Sequence, residues 1–130
     1  MNQKVLEKRL TKLGYKVQIA NHGQEALDYL TTTTSWKQQN RKETTPLQDV
    51  HVILMDIEMP VMDGLTCSKR IRDLQKSGDI VKHIPIVAVS ANARAEQMKQ
   101  ALDAGVDGFI TKPFRMPELT SVISKLLEAP

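Results

Sequence analysis

A chain of 130 residues has the length of one domain and can bury a core. Hydrophobic residues at 41% and charged residues at 25% are ordinary globular values, and a net charge of +3 gathers into no basic block, so nucleic acid is not implied. A single cysteine, Cys67, excludes an internal disulfide, and no apolar run approaches the roughly 18 residues of a membrane span. A soluble cytoplasmic domain without membrane contact, or a piece of a larger protein, is expected.

Residues 2–13 read as a helix with Val5, Leu6, Leu10 and Leu13 on one face and Gly14 as its stop. Residues 15–20 alternate apolar and polar, the pattern of a half-exposed strand at a sheet edge. Asn21 with Gln24 forms a capping-box pattern, and the helix it opens carries Ala26, Leu27 and Leu30 inward. Residues 31–48 are a polar insertion with little to bury, which predicts a mobile loop; Trp36 within it is expected to fold back on the domain.

Residues 50–55 are an apolar run, His51 apart, and they deliver Asp56 just before a turn marked by Pro60 and Gly64. Such a run reads as a strand buried on both faces. Asp63 caps a helix reaching about Ser77, with Leu65, Ile71 and Leu74 inward and Cys67 as a small packing residue. A loop covers 78–83, and a strand covers 84–89, ending in Ser90-Ala91. Residues 95–104 form a helix whose apolar side, Met98, Ala101 and Leu102, is thin, and Gly105 stops it. The strand at 108–111 ends in Lys112-Pro113. The last helix has Pro117 in its first turn and an apolar stripe of Leu119, Val122, Ile123, Leu126 and Leu127. His22, His51 and His83 lack the spacing of zinc ligands.

An Asp at a strand end most often only opens a turn. Here three strand ends carry a carboxylate, a hydroxyl and an ammonium, and in an open parallel sheet chemistry collects at the carboxyl ends of the strands. Asp56, Ser90 and Lys112 would converge on one edge. That set suits a carboxylate that accepts a phosphoryl group, with a hydroxyl and a cation for the phosphoryl oxygens.

Residues 54–64 (Leu-Met-Asp-Ile-Glu-Met-Pro-Val-Met-Asp-Gly), then Val89-Ser90-Ala91, then Lys112-Pro113-Phe114, resemble the receiver domains of two-component phosphorelays. The likeness is nearest to the C-terminal receiver of fungal hybrid histidine kinases and covers nearly the whole chain. It implies a flavodoxin-like three-layer α/β/α fold with a parallel sheet in the order 2-1-3-4-5. It also implies a single receiver domain over 1–130 that takes a phosphoryl group from a histidine kinase onto Asp56 and relays it to a histidine phosphotransfer partner. Such a domain is a phosphoacceptor, not an independent enzyme. Lys112 would neutralise one phosphoryl oxygen and Ser90 would donate to another. Ala91 leaves room for the group, and Phe109 takes the place of the aromatic switch. Lys112-Pro113 would be a cis peptide bordering the phosphoryl pocket, and Glu58 and Asn92 would tune the lifetime of the phosphoryl group.

One part of that pattern is missing. The expected first strand, with an acidic pair at its end, is absent, so only four strands are expected and the domain reads as N-terminally truncated; a borrowed strand or a degenerate remnant are the other readings. The absent strand is central, and strands lie about 4.8 Å apart, so its loss predicts a gap of about 10 Å that backbone hydrogen bonds do not close without repacking. For Mg²⁺, Asp56 and the Glu58 carbonyl remain as the only ligands of the family type. Two rivals follow: a pseudo-receiver that serves as an interaction module, and a phosphohydrolase of the haloacid dehalogenase type with Glu58 as its general acid.

Overall fold

Aliphatic runs with no polar face must be covered on both sides, and the two central strands of the sheet are such runs. The computed structural model describes residues 3–20, 23–37, 50–58, 62–92 and 94–128. Its elements in chain order are α1 (Gln3–Lys12), β1 (Val17–Ala20), α2 (Gly23–Leu30), β2 (Val52–Asp56), α3 (Gly64–Ser77), β3 (Ile86–Ser90), α4 (Ala95–Asp103), β4 (Gly108–Thr111) and α5 (Met116–Glu128). The four strands are parallel and lie in the order β1-β2-β3-β4.

Strand side chains alternate between faces, and the two cores follow that alternation. Val52, Leu54, Val87, Val89 and Ile110 pack with Leu6 and Leu10 of α1 and Leu119 and Ile123 of α5. Ile53, Met55, Ile86 and Ala88 pack on the other face with Ala26 and Leu30 of α2, Cys67 and Ile71 of α3, and Ala101 of α4. These are the three layers that the flavodoxin-like reading requires.

The sheet has no gap. β1 pairs directly with β2, from Val17 opposite Val52 to Ala20 opposite Met55, so the order expected with its first strand removed becomes a continuous sequential one. The expectation of an open gap is corrected, and the reason is physical. An unpaired edge on β2 would leave backbone groups unsatisfied beside a buried strand. Repacking avoids this: Leu6 and Leu10 of α1 come down over Val52 and Leu54. The pairing extends below the strands, where the His51 N–H donates to Lys16 O at 2.7 Å and the Lys16 N–H donates to His51 Nδ1 at 3.2 Å.

The polar insertion is a loop in a narrower sense than expected. The hydroxyls of Thr31, Thr32 and Thr33 donate to the carbonyls of Asp28, Tyr29 and Leu30 at 2.7, 2.7 and 2.8 Å, which closes the C-terminus of α2. Thr33 and Ser35 are buried, and Trp36 folds back against the core. Trp36 forms an antiparallel bridge with Ile80, and the Val81 N–H donates to Ser35 O at 2.7 Å. Lys37 pairs with Asp79, which holds the Asp79 carboxyl below its ordinary pKa through hydrogen bonds from Lys37 and Ser77. The remainder of the insertion, from 38, lies outside the described residues, as does the cap expected at Asn21.

Some expected core positions are exposed. Val5 of α1, Leu13 just beyond its end, Met98 and Leu102 of α4 and Leu127 of α5 face solvent, because each of these helices meets the sheet through a narrower stripe than the sequence offers.

Candidate functional site

β2 ends at Asp56, β3 at Ser90 and β4 one residue before Lys112, so the parallel register sets all three residues on one edge. Two backbone bonds carry the ladders past the strand ends: the Ile57 N–H donates to Val89 O at 3.0 Å, and the Lys112 N–H donates to Ser90 O at 2.8 Å. These bonds fix how far Lys112 stands from Asp56. The Lys112 ammonium reaches Asp56 Oδ2 at 2.7 Å, and the Glu58 N–H donates to Asp56 Oδ1 at 3.0 Å. Among the described residues each carboxylate oxygen therefore has one donor. The pair is partly solvated, with side-chain exposures of 43% for Lys112 and 27% for Asp56, so it contributes position more than stability.

Ser90 is fully buried. Its hydroxyl donates to Glu58 Oε1 at 2.7 Å and accepts from the Asn92 N–H at 3.0 Å. Asn92 Oδ1 in turn accepts from the Arg94 N–H at 3.0 Å, which shapes the turn after β3. Ala91 and Pro113 are exposed beside the site, and the Lys112–Pro113 bond is cis. Phe109 lies opposite Ala88 in the register and packs against the core on the α2, α3 and α4 side.

The approach of α3 to the end of β2 depends on Gly64. A Cβ there would stand 2.4 Å from Asp56 O, closer than any real contact, so only glycine lets the helix start so near the backbone at the end of β2. Asp63 caps that helix, accepting from the Thr66 N–H at 2.8 Å, as the sequence predicts.

For a divalent cation the arrangement offers Asp56 and Glu58. Among the described residues no group of three or more His, Cys, Asp or Glu side chains could hold a metal ion. Both Asp56 oxygens and one Glu58 oxygen already have donors. Mg²⁺ demands near-octahedral oxygen coordination, and these residues alone do not fit it. Among the described residues no helix is long and apolar enough to cross a membrane.

Two relationships at the site escaped sequence reasoning. Glu58 and Ser90 are 32 residues apart, and Gly64 approaches a backbone oxygen, not a side chain. No local pattern announces either.

Residues 1–124 match the response regulator receiver domain family. The chain is 37% identical over 124 residues to hybrid signal transduction histidine kinase I of Dictyostelium discoideum, covering 95% of this chain and 6% of that protein. It is 33% identical over 130 residues to the osmosensing histidine protein kinase SLN1 of Saccharomyces cerevisiae, covering 99% of this chain and 9% of that protein. The chain thus spans a small part of the length of the kinases it matches. Among solved structures it is similar to the receiver domain of sensor histidine kinase PA1611 from Pseudomonas aeruginosa, which has a magnesium ion coordinated in its active site cleft; identity is 27%, the TM-score is 0.70, and the match covers 98% of this chain and 89% of that one. The receiver domain of the histidine kinase CKI1 from Arabidopsis thaliana, complexed with Mg²⁺, is 31% identical with a TM-score of 0.71, over 95% of this chain and 83% of that one. With this match across sequence and fold, the chain belongs to the response regulator receiver domain family.

Proposed function

We propose that Asp56 accepts a phosphoryl group from a phosphohistidine and holds it for relay to a histidine of a phosphotransfer partner. The observation that carries this reading is the Lys112 ammonium at 2.7 Å from Asp56 Oδ2, on a sheet edge shared with Ser90. An Asp56 oxygen attacks the phosphorus as the P–N bond of the phosphoimidazole breaks. The nitrogen leaves with the electron pair and takes up a proton, and Asp56 becomes an acyl phosphate. Lys112 swings from the carboxylate to a phosphoryl oxygen, where its charge offsets the charge that develops. Ser90 donates to a second oxygen, and Ala91 leaves space for the group. Phe109, on β4 and packed against the core, reports the change by apolar repacking alone, since it has no hydroxyl.

The relatives named above are histidine kinases, which supports a histidine kinase as donor; the acceptor in this reading is a histidine phosphotransfer domain, and the exchange takes place in the cytoplasm. Mg²⁺ is the ion held by two of the structural relatives; here, among the described residues, no third acidic side chain joins Asp56 and Glu58 to meet one. The shortness of that set favours one other reading, a pseudo-receiver that binds partners without taking phosphate. Incubation with a phosphorylated histidine donor decides between them. The mass of one phosphoryl group should appear on the chain and be absent from Asp56→Asn. Labelling that persists in Asp56→Asn, or none in the unaltered chain, overturns the proposal.

A further inference from the structure

The Ser90 hydroxyl has one proton, and that proton is already committed. Ser90 Oγ donates it to Glu58 Oε1 at 2.7 Å, while the Asn92 N–H occupies the oxygen from the other side at 3.0 Å. Ser90 is fully buried, so its hydroxyl meets these two protein partners and has no exposed surface of its own. Glu58 also touches the carboxylate at the centre of the site, because its N–H donates to Asp56 Oδ1 at 3.0 Å. One residue therefore grips Asp56 with its backbone and Ser90 with its side chain.

We propose that Glu58 is a positioning residue, a latch that withholds the Ser90 hydroxyl from the phosphoryl group until the Glu58 carboxylate swings away. This rests on the reading of Asp56 as phosphoacceptor and says how that site is restrained. A phosphoryl oxygen on Asp56 and Glu58 Oε1 are both anionic acceptors, and one proton serves only one of them. The two anions also repel at close range. Glu58 is exposed, so its carboxylate has solvent to move into, whereas Ser90 has none. The Asn92 N–H keeps the Ser90 oxygen in place without using the proton, and opening the latch only redirects the O–H bond.

The test uses four proteins: the unaltered chain, Glu58→Ala, Ser90→Ala and the double variant, labelled by acetyl phosphate with Mg²⁺ present. A hydrogen bond to a charged acceptor is strong enough that Glu58→Ala should speed labelling by about tenfold. In the Ser90→Ala background the same change should alter the rate by less than about twofold, the usual error of additivity. Glu58→Gln keeps an acceptor without the charge and should fall between. Equal acceleration with and without Ser90 would mean that Glu58 acts through its charge alone, and that overturns the latch. So does no acceleration when Ser90 is present. Should none of the four take label from acetyl phosphate, the phosphohistidine donor decides the phosphoacceptor reading, and urea unfolding of the same proteins tests the latch without phosphate. Glu58→Ala should then lower the midpoint less when Ser90 is absent; strictly additive midpoints refute the Glu58–Ser90 coupling.

Discussion

Arg72 Nη2 lies 2.6 Å from Asp107 Oδ2, at the end of the sheet away from Asp56. Asp107 also accepts from the Ile86 N–H at 2.8 Å and pairs with His83 Nε2 at 2.8 Å, while Arg72 donates to Gly105 O at 2.8 Å and to Ile84 O at 3.0 Å. Burial pulls the Arg72 pKa below its ordinary value, and Asp107 opposes the shift. The cluster ties the start of β3 to the start of β4, the two strands whose other ends carry Ser90 and Lys112. Register set here is delivered to the site.

Arg72→Ala would leave Asp107 largely buried without its cation. We expect a loss of about 2–4 kcal/mol of stability. Urea unfolding measures it, and a loss below about 1 kcal/mol would mean that the ladder bonds hold the register without Arg72.

Lys112→Ala should separate stability from chemistry. The pair with Asp56 is partly solvated, so unfolding should shift by no more than about 1 kcal/mol. Labelling from a phosphorylated donor should fall by about a hundredfold or more, since the charge meant for a phosphoryl oxygen is gone. A large stability loss with unchanged labelling would reverse the assignment.

Gly64→Ala places a methyl group against the Asp56 carbonyl. Strain of about 1–3 kcal/mol is expected, together with displacement of the β2–α3 turn. Thermal unfolding reads the first, and the amide resonances of Ile57 and Glu58 read the second.

Cys67 is buried under α2, with its thiol donating to Gly23 O at 3.6 Å, and burial lifts its pKa from an ordinary 9.0 up to about 11. A pKa raised on folding gives stability that is complete below the unfolded value and lost as pH rises toward the folded one. Stability should therefore decline between about pH 9 and 11 in the unaltered chain, and less so in Cys67→Ala. Alkylation at pH 8 should proceed only as fast as the protein opens. Rapid modification of the folded chain would contradict the burial.

Mg²⁺ binding should be weak, because among the described residues no group of three or more acidic, His or Cys side chains gathers to hold it beside Asp56 and the Glu58 carbonyl. A titration followed at the Ile57 and Glu58 amides should saturate late and vanish in Asp56→Asn. Tight binding would mean that further ligands come from outside the described residues.

Much of this architecture was legible in the sequence because burial writes a period into it. The aliphatic runs gave β2 and β3, Asp63 announced α3, and the stripe of Leu119 and Ile123 gave the buried face of α5. The convergence of Asp56, Ser90 and Lys112 followed from where the strands end. What stayed hidden depends on partners distant in the chain. Nothing local says that β1 will close onto β2, since pairing is settled by which backbone edges remain unsatisfied. Arg72 and Asp107 are 35 residues apart and share no motif. The threonines after α2 look like a solvated run until their hydroxyls find the helix carbonyls.

The sequential order β1-β2-β3-β4 also bears on the order of folding events. Each ladder closes across a single helix to the next strand in the chain, and the β3–α4–β4 closure spans the fewest residues. Closure entropy rises with the length of chain enclosed, so that unit carries the smallest entropic barrier. The Ser90 and Lys112 half of the site then assembles first, within one local unit, and Asp56 joins when β2 docks beside it. In pulse-labelled hydrogen exchange, the amides of Asp107 and Lys112, which bridge β3 and β4, should gain protection before that of Ile57, which bridges β2 and β3.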